Sequence, residues 1–317
     1  MRVLFIDSVH PELEKRLTRS GYSCVDGTHW DRQEILSKLH DYQGVVIRSK
    51  FTIDLEFLNA AKELKFIARS GSGLENIDLI GAEKHQVKVF NSPEGNRNAV
   101  GEHALAMLLM LFNKLRQGDF EVRAAQWNRE KNRGLELDGK TIGLIGYGNT
   151  AQMFAKKLRG FDVQVLAYDK YVPEFPNQWA ESVELKTIQE SCDVISFHVP
   201  ETDETRFMFN EEFVNSCVKH FYLINTSRGK VVETAALVQG LKSGKVQGAC
   251  LDVLEYETKA FQNFVADQLP EDFTYLAQSN QTVLSPHVAG WTQESYIKLA
   301  TVLYDKIIAE FGEQLRN

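Results

Sequence analysis

A run of mostly apolar residues, Thr141-Ile142-Gly143-Leu144-Ile145, passes without a break into Gly146-Tyr147-Gly148-Asn149-Thr150-Ala151, and a helical pattern follows. A strand that ends in such a turn at the start of a helix has few uses. Gly146 permits the tight turn, and Gly148, with no Cβ, lets a pyrophosphate approach the backbone. Ala151 stands where the helix must pack close to the strand. The start of the helix offers unpaired N–H groups and a partial positive charge, which suit phosphates. The next strand pattern, Gln164–Ala167, leads into Tyr168-Asp169, and Asp169 lies 23 residues after Gly146. That is the spacing of a ribose-binding acid. A carboxylate there accepts from both ribose hydroxyls and repels a 2′-phosphate, which favours NAD over NADP, although Lys170 can soften the repulsion. The competing reading, a plain glycine turn with an incidental surface Asp, explains neither the strand–turn–helix context nor the acid.

Around this feature, short β-rich runs alternate with helical patterns. Val3–Ile6, Val45–Ile47, Phe66–Ala68 and Val87–Phe90 read as buried strands, with helices at Glu12–Ser20, Arg32–Leu39 and Leu55–Ala61. A second series runs through Thr141–Ile145, Gln164–Ala167, Val194–Phe197, Tyr222–Ile224, Ala249–Val253 and Thr282–Leu284. Such alternation predicts parallel sheets covered by helices on both faces. At roughly 150 residues per domain, two α/β domains are expected. A long helical pattern from Asn98 to about Gln126 separates the two series, and Gln293–Phe311 reads as a last helix. Tyr256–Gln281 shows no clear strand and predicts a short helix with a surface excursion.

Composition narrows the partners. The 36 basic and 43 acidic residues give a net charge of −7, which argues against general nucleic-acid binding. Cys24, Cys192, Cys217 and Cys250 form no Cys-x-x-Cys pair, so no metal site is expected and a reduced, cytoplasmic chain is the simplest reading. The opening MRVLFIDSVH reads as no signal peptide, because Asp7 ends the apolar run early. The most apolar stretch, Ala104–Phe112, is followed soon by Lys114 and Arg116. It falls well short of the roughly 20 apolar residues of a membrane span.

Three polar residues lie beyond strand ends or turns in the second half. Arg228 follows Asn225-Thr226-Ser227, Glu257 ends Asp252-Val253-Leu254-Glu255-Tyr256-Glu257, and His287 lies in Ser285-Pro286-His287-Val288-Ala289-Gly290. Ligands of open parallel sheets bind at strand C-termini. Arg can grip a carboxylate bidentately and polarise the neighbouring carbonyl. His exchanges a proton near neutral pH, and a neighbouring Glu orients it. Singly, each reads more readily as a surface ion pair, a cap or a packed residue. Beside a nicotinamide, the three fit the reversible reduction of a 2-oxo acid to a 2-hydroxy acid.

Over nearly its whole length, the chain resembles the D-isomer-specific 2-hydroxyacid dehydrogenases. The patterns Asn-Thr-Ser-Arg-Gly, Asp-Val-x-x-x-Glu and Ser/Thr-Pro-His match 225–229, 252–257 and 285–287. The resemblance implies that Arg228 binds the substrate carboxylate and carbonyl, that His287 is the acid/base and that Glu257 pairs with it. Asp252 is implied as a nicotinamide contact, and Asn149, Thr150, Thr226 and Gly290 as further cofactor contacts. His198-Val199-Pro200, with Thr205, matches a loop that lies against the cofactor. In the first half, Arg69-Ser70-Gly71-Ser72-Gly73 resembles the family's glycine loop, which implies that Ser70, Gly71, Ser72 and Gly73 hold the substrate carboxylate through backbone N–H groups. The implied fold is α/β, with two Rossmann-like parallel-sheet domains: one flavodoxin-like, one dinucleotide-binding. The substrate domain is discontinuous (1–94 and 288–317) and the NAD-binding domain spans 95–287. A homodimer through the long helix after Asn98 is also implied.

Phosphoglycerate dehydrogenases are the subgroup most resembled, through Arg48-Ser49 and Gly95-Asn96. Arg48 would then meet a phosphate, or else simply end a strand in a surface ion pair. The expected reaction is 3-phosphoglycerate to 3-phosphohydroxypyruvate, as in serine biosynthesis. Reduction of hydroxypyruvate or another 2-oxo acid, a formate dehydrogenase, and an NAD(H)-sensing corepressor-like protein stay open. The chain ends soon after its last helix, so a C-terminal regulatory domain is not expected. Three features depart from the family: Asn149-Thr150 replaces its usual Arg-Ile, Trp291 is bulkier than the common residue, and 257–287 is longer.

Overall fold

The structure, a computed structural model, describes residues 1–172, 174–175, 177–257 and 270–312. The chain divides into two compact units, one holding Met1–Asn96 and 291–312, the other Arg97–Glu257 and 270–290. Their limits fall at 96/97 and 290/291.

In the first unit, strands β1 (Arg2–Phe5), β2 (Ser23–Asp26), β3 (Gly44–Ile47), β4 (Phe66–Arg69) and β5 (Lys88–Phe90) alternate with helices α1 (Glu12–Arg19), α2 (Arg32–Lys38), α3 (Leu55–Ala60) and α4 (Leu79–Lys84). The sheet is parallel throughout, in the order β2-β1-β3-β4-β5, which is the flavodoxin-like winding. Side chains alternate with the period of two that a strand imposes. Leu4, Ile6, Val45, Ile47 and Ile67 pack with Ile35, Phe57 and Ala82 of α2–α4. Val3, Phe5, Val46, Phe66 and Ala68 pack with Leu13 and Leu17 of α1 and with residues of the last helix.

The second unit opens in α5 (Pro93–Phe112) and α6 (Leu115–Arg123) and continues as β6 (Thr141–Ile145), α7 (Asn149–Leu158), β7 (Gln164–Tyr168), β8 (Glu181–Ser182), α8 (Leu185–Ser191), β9 (Val194–Phe197), α9 (Glu211–Ser216), β10 (Phe221–Asn225), α10 (Thr234–Ser243), β11 (Val246–Leu251), α11 (Glu271–Gln278) and β12 (Thr282–Leu284). Seven parallel strands run in the order β12-β11-β10-β9-β6-β7-β8. Strand order reverses at β6, so the switch point lies where β6 and β9 are neighbours. One face is covered by Ala104, Leu108 and Phe112 of α5 with Ala151, Phe154 and Leu158 of α7. The other is covered by Ile188, Phe213, Leu237 and Leu276 of α8–α11. The last helix, α12 (Gln293–Phe311), belongs to the first unit and starts at a capping box of Thr292 and Ser295.

Two expectations need correction. The pattern from Asn98 to Gln126 is not one helix. Lys114 is left-handed, with φ 50°, and α6 starts after it. The Phe112 carbonyl, which a continuous helix would bond to residue 116, instead accepts from Leu135 N at 2.9 Å. Strands β2 and β8, which no apolar run announces, lie at the sheet edges, where one side needs no partner. In the stretch 256–281, α11 is the expected short helix, whereas 258–269 lie outside the described residues. Among the described residues no helix is long and apolar enough to cross a membrane.

Candidate active site

The glycine turn forms as its sequence demands. Gly146 has φ +86°, and a Cβ there would lie 2.9 Å from the His198 carbonyl oxygen. Only glycine fits both the backbone and the contact. Gly148 caps α7 and has no atom within 4 Å of where its Cβ would be. Ala151 is fully buried. Asp169 accepts from Tyr147 N at 2.7 Å through one carboxylate oxygen and from Tyr171 N and Val172 N, at 2.9 and 3.1 Å, through the other. These amides fix the carboxylate beside the turn. Each oxygen can accept more than one bond, so capacity for ribose hydroxyls remains.

Beside this turn, β9 delivers His198. Its ring is turned inward, with Nε2 2.9 Å from Ser196 Oγ and Nδ1 3.1 Å from Thr150 Oγ1. Burial pushes its pKa down to about 3, so the ring is neutral. Thr150 is therefore tied to β9 by its hydroxyl. Val199 packs where a Gly146 Cβ would be, and Thr205 Oγ1 donates to the Pro200 carbonyl at 2.6 Å, closing the 200–205 loop on itself.

The C-terminal ends of β10, β11 and β12 carry the remaining residues. Asp252, 1% exposed, is the hub. Its Oδ1 accepts from Ser285 Oγ at 2.6 Å and Val288 N at 2.9 Å, and its Oδ2 from Ala289 N at 2.8 Å. Burial alone would raise its pKa, but hydrogen bonds from His103, Ser285 and the two amides outweigh it and hold the carboxyl below its usual range. The Asp252 carbonyl also accepts from His287 N at 2.8 Å. This clamp keeps His287 in the left-handed region at φ 54°, a strain of about 1–3 kcal/mol for a residue with a Cβ. His287 Nδ1 then lies 2.6 Å from Glu257 Oε2, while Glu257 Oε1 accepts from Leu254 N at 2.6 Å. A carboxylate only accepts, so Nδ1 carries the hydrogen, and Nε2 is the nitrogen that can exchange a proton. Arg228 extends from β10 with its Nη1 on the Ser227 carbonyl at 2.7 Å, and its own carbonyl is held by Asn225 Nδ2 at 2.9 Å. Thr226 Oγ1 is buried and has no hydrogen-bond partner among the described residues.

The open space at Gly148, the α7 N-terminus, the poised Asp169 and the unpartnered Thr226 hydroxyl fit a dinucleotide along this sheet edge. Sequence reasoning named all four. It missed His103, whose Nε2 lies 2.9 Å from Ser285 Oγ. His103 comes from α5, far along the chain from Asp252, and no motif marks it.

In the first unit, the C-terminal ends of β1, β3 and β4 hold the other expected residues. Asp7 Oδ2 accepts three consecutive amides, from Arg48, Ser49 and Lys50, at 3.1, 2.6 and 2.8 Å. The Arg48 carbonyl accepts from Arg69 Nε at 3.1 Å. The Arg48 guanidinium stacks over Trp291, 5.1 Å from the ring centroid, and has no carboxylate partner among the described residues. Ser70–Gly73 follow β4. Ser70 N donates to the Ile47 carbonyl at 2.8 Å, Gly71 N to Ser92 Oγ at 3.2 Å and Ser72 Oγ to Asn96 Oδ1 at 2.7 Å.

A family model described as "D-isomer specific 2-hydroxyacid dehydrogenase, NAD binding domain" matches residues 105–289. The chain belongs to the D-isomer specific 2-hydroxyacid dehydrogenases. It is 33% identical over 313 residues to a D-3-phosphoglycerate dehydrogenase of Archaeoglobus fulgidus, covering 97% of this chain and 57% of the relative. It is 32% identical over 311 residues to a hydroxypyruvate reductase of Thermotoga maritima, covering 98% of each. Among solved structures, the TT0316 protein of Thermus thermophilus superposes with a TM-score of 0.81 at 28% identity, over 98% of this chain and 96% of the other. The chain thus spans little more than half of the first relative and nearly all of the second.

Proposed function

We propose that the protein is an NAD-dependent dehydrogenase that interconverts a 2-hydroxy acid and its 2-oxo acid, with 3-phosphoglycerate and 3-phosphohydroxypyruvate the leading pair. The observation that carries the chemistry is the 2.6 Å contact of His287 Nδ1 with Glu257 Oε2, built on a backbone that Asp252 holds in a strained conformation. NAD, when bound, supplies or accepts the hydride. His287 Nε2 delivers the proton to the carbonyl oxygen in reduction and takes it back in oxidation. Glu257 orients the ring by accepting from Nδ1. Arg228 grips the substrate carboxylate and polarises the carbonyl. Asp252 holds the 285–289 segment and offers its carboxylate to the nicotinamide amide. Thr226, Asn149, Thr150, the 198–205 loop and Gly290 frame the cofactor.

The Ser72 and Gly73 amides support the reading of a second grip on the substrate carboxylate, whereas those of Ser70 and Gly71, expected to share it, donate to the Ile47 carbonyl and Ser92 Oγ. Arg48, with its face on Trp291 and its N–H edge uncommitted to any acid among the described residues, supports the phosphorylated substrate. Exposed Leu115, Phe120 and Trp127 on and after α6 support a second copy against this region. The serine-forming role follows only from the phosphorylated substrate.

The test is oxidation of NADH with 3-phosphohydroxypyruvate, hydroxypyruvate, pyruvate and glyoxylate. Preference for the phosphorylated acid is the expected result. Preference for hydroxypyruvate keeps the chemistry and overturns the substrate. No oxidation by any acid, with NADH bound, overturns the enzyme reading in favour of a dinucleotide-sensing protein.

A further inference from the structure

The first turn of α7 offers amides that suit a pyrophosphate, yet no basic side chain stands there. Asn149 and Thr150 are neutral, and the helix's lysines, Lys156 and Lys157, lie in its last turn. The cation comes from another helix. Arg97, in the second turn of α5, donates from Nη1 to Asn149 Oδ1 at 3.3 Å. Asn149 is a neutral acceptor, so it fixes the guanidinium without cancelling its charge. No acid pairs with Arg97 among the described residues.

The placement is enforced by packing. One turn along α5 from Arg97 lies Gly101, where a Cβ would fall 2.8 Å from Met153 C and 2.9 Å from Phe154 N. Any larger residue would push the helices apart. Next to it, Glu102 pairs with Lys157 Nζ at 2.9 Å. Residue 97 meets 149, 101 meets 153 and 102 meets 157, so α5 and α7 run in the same direction with their backbones in contact. Arg97 is thereby registered on the turn that begins the dinucleotide helix.

We infer that Arg97 supplies the positive charge for the cofactor's pyrophosphate, in place of a basic residue on α7. A guanidinium keeps its charge at any working pH and offers several N–H donors in one plane. Asn149 engages one of them, and the others can meet phosphate oxygens.

The inference rests on NAD binding along this edge, and the experiment separates the two. NADH, ADP-ribose and adenosine are titrated into the purified chain, NADH by its fluorescence and the others by calorimetry. Arg97→Ala should weaken NADH and ADP-ribose by about tenfold, the scale of one charge-assisted contact, and flatten the salt dependence. Adenosine, which has no phosphate, should bind as before. Arg97→Lys should recover part of the loss, and Asn149→Arg added to Arg97→Ala should recover more by moving the cation onto α7. Unchanged NADH affinity in Arg97→Ala overturns the inference and leaves the cofactor reading intact. Equal losses for adenosine and NADH also overturn it, because Arg97 would then only hold the helices together. Absence of NADH binding to the unaltered chain overturns both.

Discussion

His198 and His287 leave the same sheet at the C-terminal ends of two strands, β9 and β12, and are given opposite surroundings. His198 lies between two hydroxyls, 9% exposed, with burial holding it neutral. His287 has a side chain 27% exposed, a carboxylate on Nδ1 and a left-handed backbone. A hydroxyl serves a neutral ring equally well as donor or acceptor, so His198 has no reason to change charge. His287 instead holds a carboxylate on Nδ1, so its Nε2 edge is the one placed to exchange a proton. Strand-end placement, which the two share, therefore does not make a histidine catalytic. The partner and the burial do.

The comparison breaks most easily at His287. His287→Ala should lower kcat for 2-oxo acid reduction by a factor on the order of 10²–10⁴, the usual contribution of general acid–base catalysis. NADH affinity and thermal stability should change little, because the alanine removes a ring that is not part of the core. Near-normal turnover would remove His287 from the reaction and with it the contrast. Glu257→Gln should act in the same direction and less, by about ten- to a hundredfold, since an amide oxygen can still accept from Nδ1 but holds the ring less firmly than a carboxylate. If kcat in this variant equalled that of the unaltered enzyme at every pH, the carboxylate would be serving only Leu254 N.

How far the sequence led differs between these two histidines. Ser285-Pro286-His287 and Asp252–Glu257 named the pair that the structure brings to 2.6 Å, because both motifs lie immediately beyond strands and the sheet carries them together. The glycine turn and Asp169 were legible for the same reason: local steric rules fix them. The inward turn of the His198 ring was not legible. It depends on Ser196 two residues back and on Thr150 in another helix, and nothing in His-Val-Pro says which way the ring points. His103 is hidden in the same way. The break at Lys114 is hidden because α5 and α6 share one helical pattern, and the competing hydrogen bond comes from Leu135. Edge strand β2, half-buried, has no apolar run to announce it. Sequence thus carried what a motif at a strand end announces and lost what depends on side chains that no motif marks.

The smallest effect, and the sharpest contrast, is in stability against pH. The pKa of His198 falls from an ordinary 6.5 to about 3 on folding. Between those values the unfolded chain binds a proton that the folded chain refuses. Stability contributed by this group is complete above the unfolded value and is lost as pH drops below it. From about pH 8 to about pH 5 the loss comes to roughly 2 kcal/mol for one such group. His198→Gln keeps a polar partner for Ser196 and has no proton to take up. At about pH 8 it should be less stable than the unaltered chain by about 1 kcal/mol for an imperfect hydrogen bond. At about pH 5 that gap should close or invert, since the variant escapes the acid penalty. Urea midpoints at the two pH values read this directly. Parallel curves would mean that His198 titrates alike folded and unfolded, and would leave the hydroxyls as incidental neighbours.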